Sequence, residues 1–125
     1  MKKSILTAII AILLLFCCAF LESKTVNDTF NVFYDFLEQT ELKIKRETIT
    51  NEDARVLKDF WLEKKKILHI WIPHADIKEI DLWLGETLAF TENENYEEAL
   101  TKIKVLKILA KQIPSTFSLR IENIF

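Results

Sequence analysis

The apolar positions of the chain form one unbroken run near the N-terminus, followed by four stripes with helical spacing. The run extends from Ile5 to Leu21 and contains no charged residue. Lys2 and Lys3 precede it, and the first acid is Glu22. A helix over this run rises about 26 Å, close to the roughly 30 Å hydrocarbon core of a bilayer. The pattern therefore predicts a membrane helix.

Three fates of this segment are consistent with its residues, and an uncleaved anchor is favoured. A cleaved signal peptide needs small residues at the cleavage site, and cutting after Ala19 leaves Cys17 at the other critical position. A lipid-modified cysteine needs a small residue before it, whereas Phe16 precedes Cys17 and Cys17 precedes Cys18. We therefore expect residues 1–22 to form a membrane anchor or signal segment.

The charges around the run predict an orientation. Because lysines collect on the cytoplasmic side of membrane helices, Lys2 and Lys3 are expected inside the cell. Residues 23–125 are then an extracytoplasmic helical domain of a single-pass protein in the cell membrane. The chain is then expected to contact membrane lipid through Ile5 to Leu21.

Beyond residue 22, apolar residues recur every three or four positions, which is the period of an amphipathic helix. The four stripes are Val26, Phe30, Phe33, Leu37 and Ile44; Leu57, Phe60, Trp61, Ile67, Leu68 and Trp71; Ile77, Ile80, Leu84 and Leu88; and Tyr96, Ala99, Ile103, Leu106, Ala110 and Ile113. No proline precedes Pro73 and no glycine precedes Gly85. The membrane helix is therefore expected to continue into the first stripe.

Capping residues and prolines predict where the helices begin and end. Thr50 with Asp53, and Asn95 with Glu98, have the spacing of capping boxes. The same spacing of Asp76 and Glu79 predicts that Asp76 caps the third helix. Proline cannot continue a helix without losing a hydrogen bond, so Pro73 is expected to stop the second helix and Pro114 the fourth.

These elements predict an all-α fold, with an N-terminal transmembrane helix followed by an antiparallel four-helix bundle or paired helical hairpins. Residues 115–125 are expected to form a short helix or an extended tail lying on the bundle. Gly85 falls inside the third helix, where glycine costs about 1 kcal/mol relative to alanine. A close helix crossing would explain it, and so would an exposed position.

Composition excludes several classes of function. One glycine in 125 residues leaves no room for a glycine-rich phosphate loop. The net charge of −2 argues against a nucleic-acid partner. Both cysteines lie in the apolar run, so the remaining chain has no disulfide framework and no thiolate metal site. No cofactor is expected.

Candidate chemistry is sparse. His74, Asp76 and Glu79 are the one group with metal-ligand character, but a helix start with a surface histidine explains them, and no metal or catalytic residue is predicted. Trp61 and Trp83 fit helical packing or a partner surface. Trp83 lies off its stripe and is therefore expected to be available to a partner.

Most of the chain resembles a known family, and the more telling residues lie between Trp61 and the C-terminus. The residues that carry the resemblance are Trp61, Ile72-Pro73-His74, Ile77, Ile80, Ala99-Leu100, Leu106-Lys107, Ile113-Pro114 and the closing run from Ser118 to Phe125. They are similar to domain-of-unknown-function family 4363, whose members are small bacterial proteins with an N-terminal membrane segment. The resemblance implies a membrane-anchored helical protein and carries over no catalytic residue.

Two functional classes follow. The favoured one is a non-enzymatic interaction or accessory module that faces the outside of a bacterial cell and binds an envelope or membrane protein. The alternative is a small-molecule or metal binder that uses the His74 region. The residues expected at a partner or ligand surface are Trp61, His74, Asp76, Trp83, Asn123 and Phe125.

Overall fold

A computed structural model of the chain describes residues 1–124, with the side chains of all of them except residues 22, 23 and 124. It contains four helices: α1 (Lys2–Lys45), α2 (Asn51–Leu68), α3 (His74–Glu92) and α4 (Tyr96–Ile124). No strand occurs within residues 1–124. The all-α prediction is confirmed.

The helices pack as a closed antiparallel bundle. α4 lies against both α1 and α3, and α2 lies against the same two helices with fewer close backbone approaches. Each helix is therefore flanked by its neighbours in sequence, and the contact between α1 and α4 closes the ring. Of the two predicted arrangements, the four-helix bundle is the one observed.

α1 runs without a break from the apolar segment into the bundle, as its lack of proline and glycine predicted. Its 44 residues correspond to about 66 Å of helix. Leu13, in the middle of the apolar run, is 60% exposed, whereas Val26 is fully buried. Within the part of the chain that the structure describes, α1 is the one helix long and apolar enough to cross a membrane.

The bundle core follows an alternating spacing of four and three residues. This spacing keeps one seam of each helix facing its neighbours, as in coiled-coil packing. The core residues of α1 and α4 are Val26, Phe30, Phe33, Leu37, Ile44, Ala99, Ile103, Leu106, Ala110, Ile113 and Phe117. The first and fourth stripes were thus predicted correctly, except that Tyr96 is only half-buried.

The sequence pattern placed Leu88 in the core of the bundle. Near the end of α3, the residues that are buried there are instead two threonines, Thr87 and Thr91. The Thr87 hydroxyl donates to the Trp83 carbonyl at 2.7 Å, and the Thr91 hydroxyl donates to the Thr87 carbonyl at 2.8 Å. Because each hydroxyl is satisfied within the helix, its burial carries little cost. Leu88 is half-buried at the edge of α3. In α2, Ile67 is also exposed rather than inward.

Lysines of α4 fix its register against α1. The Lys107 amine lies 3.6 Å from a Glu41 carboxylate oxygen and 3.8 Å from one of Glu38. One helical turn later, the Lys111 amine lies 4.7 Å from the centre of the Tyr34 ring. The two helices therefore run side by side in opposite directions over this whole stretch.

A reciprocal capping box begins α2, as predicted. The Thr50 hydroxyl accepts a hydrogen bond from the Asp53 amide, and the Asp53 carboxylate accepts one from the Thr50 amide. The Lys43 amine also donates to Asp53 at 2.8 Å. This bond, with that from the Thr50 amide, lowers the pKa of Asp53. At the start of α4, the Asn95 side chain accepts from the Glu98 amide at 3.4 Å.

Two glutamates end helices in a backbone conformation that favours glycine. Glu47 follows α1 with φ of 56°, and Glu94 follows α3 with φ of 58°. At each site the next amide bonds back to the carbonyl five residues earlier, from Thr48 to Lys43 and from Asn95 to Phe90. This is the Schellman pattern, in which the left-handed residue is usually glycine.

Replacing Glu94 with glycine is expected to stabilise the bundle by about 1 kcal/mol, because a left-handed conformation costs a residue with a side chain roughly that much. Denaturant unfolding in detergent measures the change. Glu92→Gly is the matched control, since Glu92 lies in the last turn of α3, where glycine lowers helix stability. A loss of stability in Glu94→Gly would show that its backbone is not strained.

Two predicted helix boundaries are wrong. α2 ends at Leu68, five residues before Pro73, so Pro73 does not stop it. Pro73 instead precedes the first residue of α3, His74, where its missing amide and fixed φ suit a helix start. Asp76 is therefore not the cap of α3 but lies in its first turn.

The prediction that α4 ends at Pro114 is also wrong. α4 continues through Pro114 to Ile124, so residues 115–124 form helix and not an extended tail. Pro114 cannot donate the bond that would reach the Ala110 carbonyl. The turns after it nevertheless stay on the bundle because Phe117 is buried in the core and Ile121 packs against it.

The bundle has a proximal end, where α1 enters from its apolar run, and a distal end. The α1–α2 and α3–α4 turns lie at the distal end. The α2–α3 turn, residues 69–73, lies at the proximal end, together with the last turns of α4. This arrangement follows from the antiparallel order of the four helices.

Candidate functional site

A groove on the bundle surface follows the line between α2 and α3. One part of it has a volume of about 280 Å³ and is bounded by Leu62, Leu84, Gly85 and Ala89. A second part, of about 330 Å³, continues toward the distal end as far as Thr91. The two parts share Lys58, Leu88 and Glu92. From Asp81 to Thr91 the groove runs along about 15 Å of α3.

The groove has an apolar floor and charged edges. Leu84 and Leu88 of α3 lie in it, and Leu62 of α2 is exposed beside them. Lys58 and Glu92 supply charges of opposite sign at its rim. An apolar channel with charged edges is the type of surface into which an amphipathic helix packs.

Asp81 marks the proximal end of the groove and joins α2 to α3. Its carboxylate accepts a bond from the Trp61 indole nitrogen at 2.7 Å and from the Lys65 amine at 3.0 Å. The Trp61 ring also stacks on Phe33 of α1, with ring centres 5.1 Å apart. The polar tip of Trp61 thus points at the groove while its ring lies in the core.

Gly85 is open to the groove and is not at a close helix crossing. A Cβ atom added to Gly85 would meet no atom within 4 Å, and the residue is exposed. Its φ is not positive, so no backbone requirement for glycine exists there. The sequence prediction of a tight crossing is wrong, and its alternative, an exposed glycine, is correct.

Gly85→Ala is therefore expected to stabilise the fold by about 0.5–1 kcal/mol, the gain in helix propensity when no clash occurs. Denaturant unfolding of the two proteins in the same detergent tests this. Ala110→Leu is the matched control, since it adds bulk at a buried seam position and is expected to cost about 1–3 kcal/mol. A comparable loss of stability in Gly85→Ala would show that Gly85 does lie at a close helix crossing.

Of the six residues predicted for a partner or ligand surface, the structure describes five, and Trp61 and Trp83 lie apart from the three at the proximal end. Trp61 is 2% exposed, which matches the packing role weighed for it, and the small exposed part of its side chain lines the groove beside Asp81. Trp83 is half-buried, and the Lys102 amine of α4 lies 5.1 Å from its ring centre. Trp83 is therefore partly covered by α4.

His74 and Asp76 lie at the proximal end, at the start of α3. The ring of His74 is exposed and lies 5.5 Å from the ring of His69, measured between centres. In the described part of the chain, no three His, Cys, Asp or Glu side chains come together as a metal site would need. Asn123 is exposed in the last turn of α4, and Phe125 lies outside the described residues.

The family comparison agrees with the resemblance noted from the sequence. The model of the family described as Domain of unknown function (DUF4363) matches residues 20–124. The chain belongs to the DUF4363 family. The DUF4363 match begins at the end of the apolar run and covers the four-helix bundle. Searches of curated proteins and of solved structures found no match.

Of the groove residues of this DUF4363 protein, the sequence analysis named Trp61 for a partner surface and singled out Gly85 without a binding role, and it missed the others, although a signal for them was present. Gly85 and Ala89 are four residues apart, so they lie on the same side of α3, next to the apolar stripe. Leu62 follows Trp61 and falls outside the stripe of α2. Small residues beside an exposed leucine on the neighbouring helix indicate a groove, but only once the two helices are known to be adjacent.

Proposed function

We propose that the protein is a membrane-tethered, non-enzymatic interaction module that holds its four-helix bundle on the outer face of a bacterial membrane. The exposed apolar run of α1 supports the tether, because seventeen uncharged residues need a covering that the bundle does not supply. Lys2 and Lys3 before the run support an outward-facing bundle.

The observation that carries the interaction role is the open groove at Gly85. A glycine inside a helix lowers stability by about 1 kcal/mol relative to alanine, and nothing inside this fold repays that loss. The missing side chain instead keeps the groove between α2 and α3 open. We infer that an amphipathic helix of an envelope or membrane protein occupies it, with apolar residues on Leu84 and Leu88.

Site-specific photocrosslinking tests the interaction role. A benzophenone amino acid placed at position 85 of the full chain in native membranes is expected to give one discrete adduct, whose partner mass spectrometry identifies. The same amino acid at Thr101, which is exposed on α4, is the matched control and should give none.

Blocking the groove supplies the second arm of this experiment. With the crosslinker moved to Leu62, Ala89→Arg should abolish the adduct, because the arginine fills the groove from the opposite wall. Equal adducts at Gly85 and Thr101, or an adduct at Leu62 that survives Ala89→Arg, would contradict a role for the groove.

Cysteine labelling tests the orientation of the bundle. In a Cys17→Ala, Cys18→Ala background, Thr101→Cys should react with a membrane-impermeant maleimide in intact cells. Ser4→Cys, beside the two N-terminal lysines, should react only after the cells are opened. The opposite pattern would place the bundle in the cytoplasm.

A further inference from the structure

We propose a second contact between this protein and the membrane, made by the α2–α3 turn, residues 69–73. In this contact Ile70 and Trp71 insert into the interfacial layer of the same bilayer that α1 enters. The proposal rests on the proposed membrane tether and adds a second lipid-binding site to it. The ligand is the boundary between lipid headgroups and acyl chains.

The register between α1 and α2 places the turn at the level of the membrane surface. The rings of Phe33 and Trp61 stack with centres 5.1 Å apart, so these residues lie at one level of the antiparallel pair. Seven residues further along α2 is Leu68, and seven residues back along α1 is Val26. Because the two helices are antiparallel and rise equally per residue, Leu68 and Val26 also lie at one level. Both are buried. The turn after Leu68 therefore extends toward Leu21, the last residue of the apolar run, about 7–8 Å below Val26 along α1.

The register between α1 and α4 shows independently that the proximal end of the bundle lies close to the end of the apolar run. Lys111 lies over Tyr34, with 4.7 Å between the amine and the ring centre. α4 continues thirteen residues beyond Lys111 to Ile124, and thirteen residues back from Tyr34 along α1 is Leu21. Because both helices have the same rise per residue, the end of α4 also reaches the end of the apolar run.

The turn has the chemistry of an interfacial anchor. Its sequence, His69-Ile70-Trp71-Ile72-Pro73, contains no acid, lysine or arginine. Ile70 is 67% exposed, more than any other bundle isoleucine whose side chain the structure describes. Trp71 beside it is half-buried, and tryptophan favours the headgroup level of membranes. Ile70 therefore points an apolar side chain away from the protein at the level where α1 leaves the membrane.

The backbone of the turn is suited to a medium with little water. The amide of Ile70 donates to the Ile67 carbonyl at 3.2 Å, and the amides of Trp71 and Ile72 donate to the Leu68 carbonyl at 3.0 and 2.8 Å. Unsatisfied amides are costly to remove from water, and these three have partners. Ile72 is buried in the core and fixes the turn, so that Ile70 stays outside.

Lipid quenching of tryptophan fluorescence tests the contact. The full chain is reconstituted into phosphatidylcholine–phosphatidylglycerol vesicles whose acyl chains carry bromine near the headgroup. Trp61 lies about 10 Å before the end of α2 and Trp83 about 14 Å after the start of α3, both on the side away from the membrane. Brominated lipid should therefore quench mainly Trp71. Most of the lipid-dependent loss of emission should disappear in Trp71→Phe and remain in the matched control Trp83→Phe.

A second pair of variants leaves all three tryptophans in place. Ile70→Ser should reduce the quenching of Trp71 because it removes the apolar side chain that inserts, whereas Leu82→Ser, at an exposed position of α3, should not. Circular dichroism checks that both variants stay folded. Equal quenching in Ile70→Ser and wild type would overturn the role of Ile70.

The remaining outcomes separate this contact from the tether. If alkaline extraction leaves the chain in the vesicles but brominated lipid does not quench Trp71, the second contact is wrong and the tether stands. If alkali releases the chain, the tether itself is wrong. If Ile70→Cys in the Cys17→Ala, Cys18→Ala background forms a disulfide-linked dimer and Trp71 is not quenched, a second copy of the chain covers the turn and the lipid contact is overturned.

Discussion

Replacing Leu106 with alanine should lower the free energy of unfolding of the bundle by about 2–5 kcal/mol. Leu106 is fully buried in the middle of α4, the helix that packs against both α1 and α3. Alanine removes three carbon atoms there, and close-packed helices on two sides can collapse only partly into the space. Denaturant unfolding in detergent, followed by circular dichroism, measures the change.

Ile108→Ala is the matched control for Leu106→Ala. Ile108 lies two residues further along α4 and is exposed, so its truncation should change stability by no more than about 0.5 kcal/mol. A cost below about 1 kcal/mol for Leu106→Ala would show that the core seam of α4 is misplaced.

Trp61→Ala should be about as damaging, with a cost of about 3–5 kcal/mol. The substitution removes a buried ring that stacks on Phe33. It also removes the indole N–H that donates a hydrogen bond to Asp81. Asp81 keeps its bond to Lys65 and is partly exposed, so the lost hydrogen bond is the smaller part of the effect.

Two further variants separate these parts. Trp61→Phe keeps most of the ring and loses the indole N–H, so it should cost about 1–2 kcal/mol. In Asp81→Asn the charge of the acceptor is removed, and the cost of Trp61→Phe measured in that background should shrink. Asparagine keeps an oxygen that can accept the indole N–H, so an equal cost of Trp61→Phe in both backgrounds would mean that the negative charge of Asp81 adds nothing to this bond.

The period of the apolar residues predicted α1 and α4 best, because the sides of these helices that face the core are apolar almost throughout. From Val26 to Ile44 and from Ala99 to Ile113, the expected positions are buried. The pattern failed in α3 for a physical reason. Thr87 and Thr91 read as polar, but each satisfies its hydroxyl on a carbonyl of its own helix and can therefore occupy the core.

The ends of α2, α3 and α4 depend on tertiary contacts that no short window contains. Pro114 predicts a helix end, yet Phe117 and Ile121 continue the period beyond it and pack on the bundle. That packing outweighs one missing hydrogen bond. The α2–α3 turn begins before Pro73, where the amides of Trp71 and Ile72 bond back to the Leu68 carbonyl and Ile72 enters the core, and the position of the proline alone does not predict these contacts.

The groove could be predicted only after the pairing of α2 with α3 was known. Gly85 was identified from the sequence as a residue that needs an explanation, but the sequence did not say whether it faces a helix or open space. That difference depends on where the stripe of α3 is centred. With Thr87 in the core, the helix turns so that Gly85 and Ala89 lie beside the groove.

Because α1 is unbroken, continuous helix joins the apolar run to the bundle. No turn lies between Leu21 and Val26 that would let one part swivel on the other. Any tilt or rotation of the apolar run is therefore passed to the groove and to the α2–α3 turn. One residue inserted at this junction would turn the whole bundle by about 100° about the axis of α1 and point the groove in a new direction.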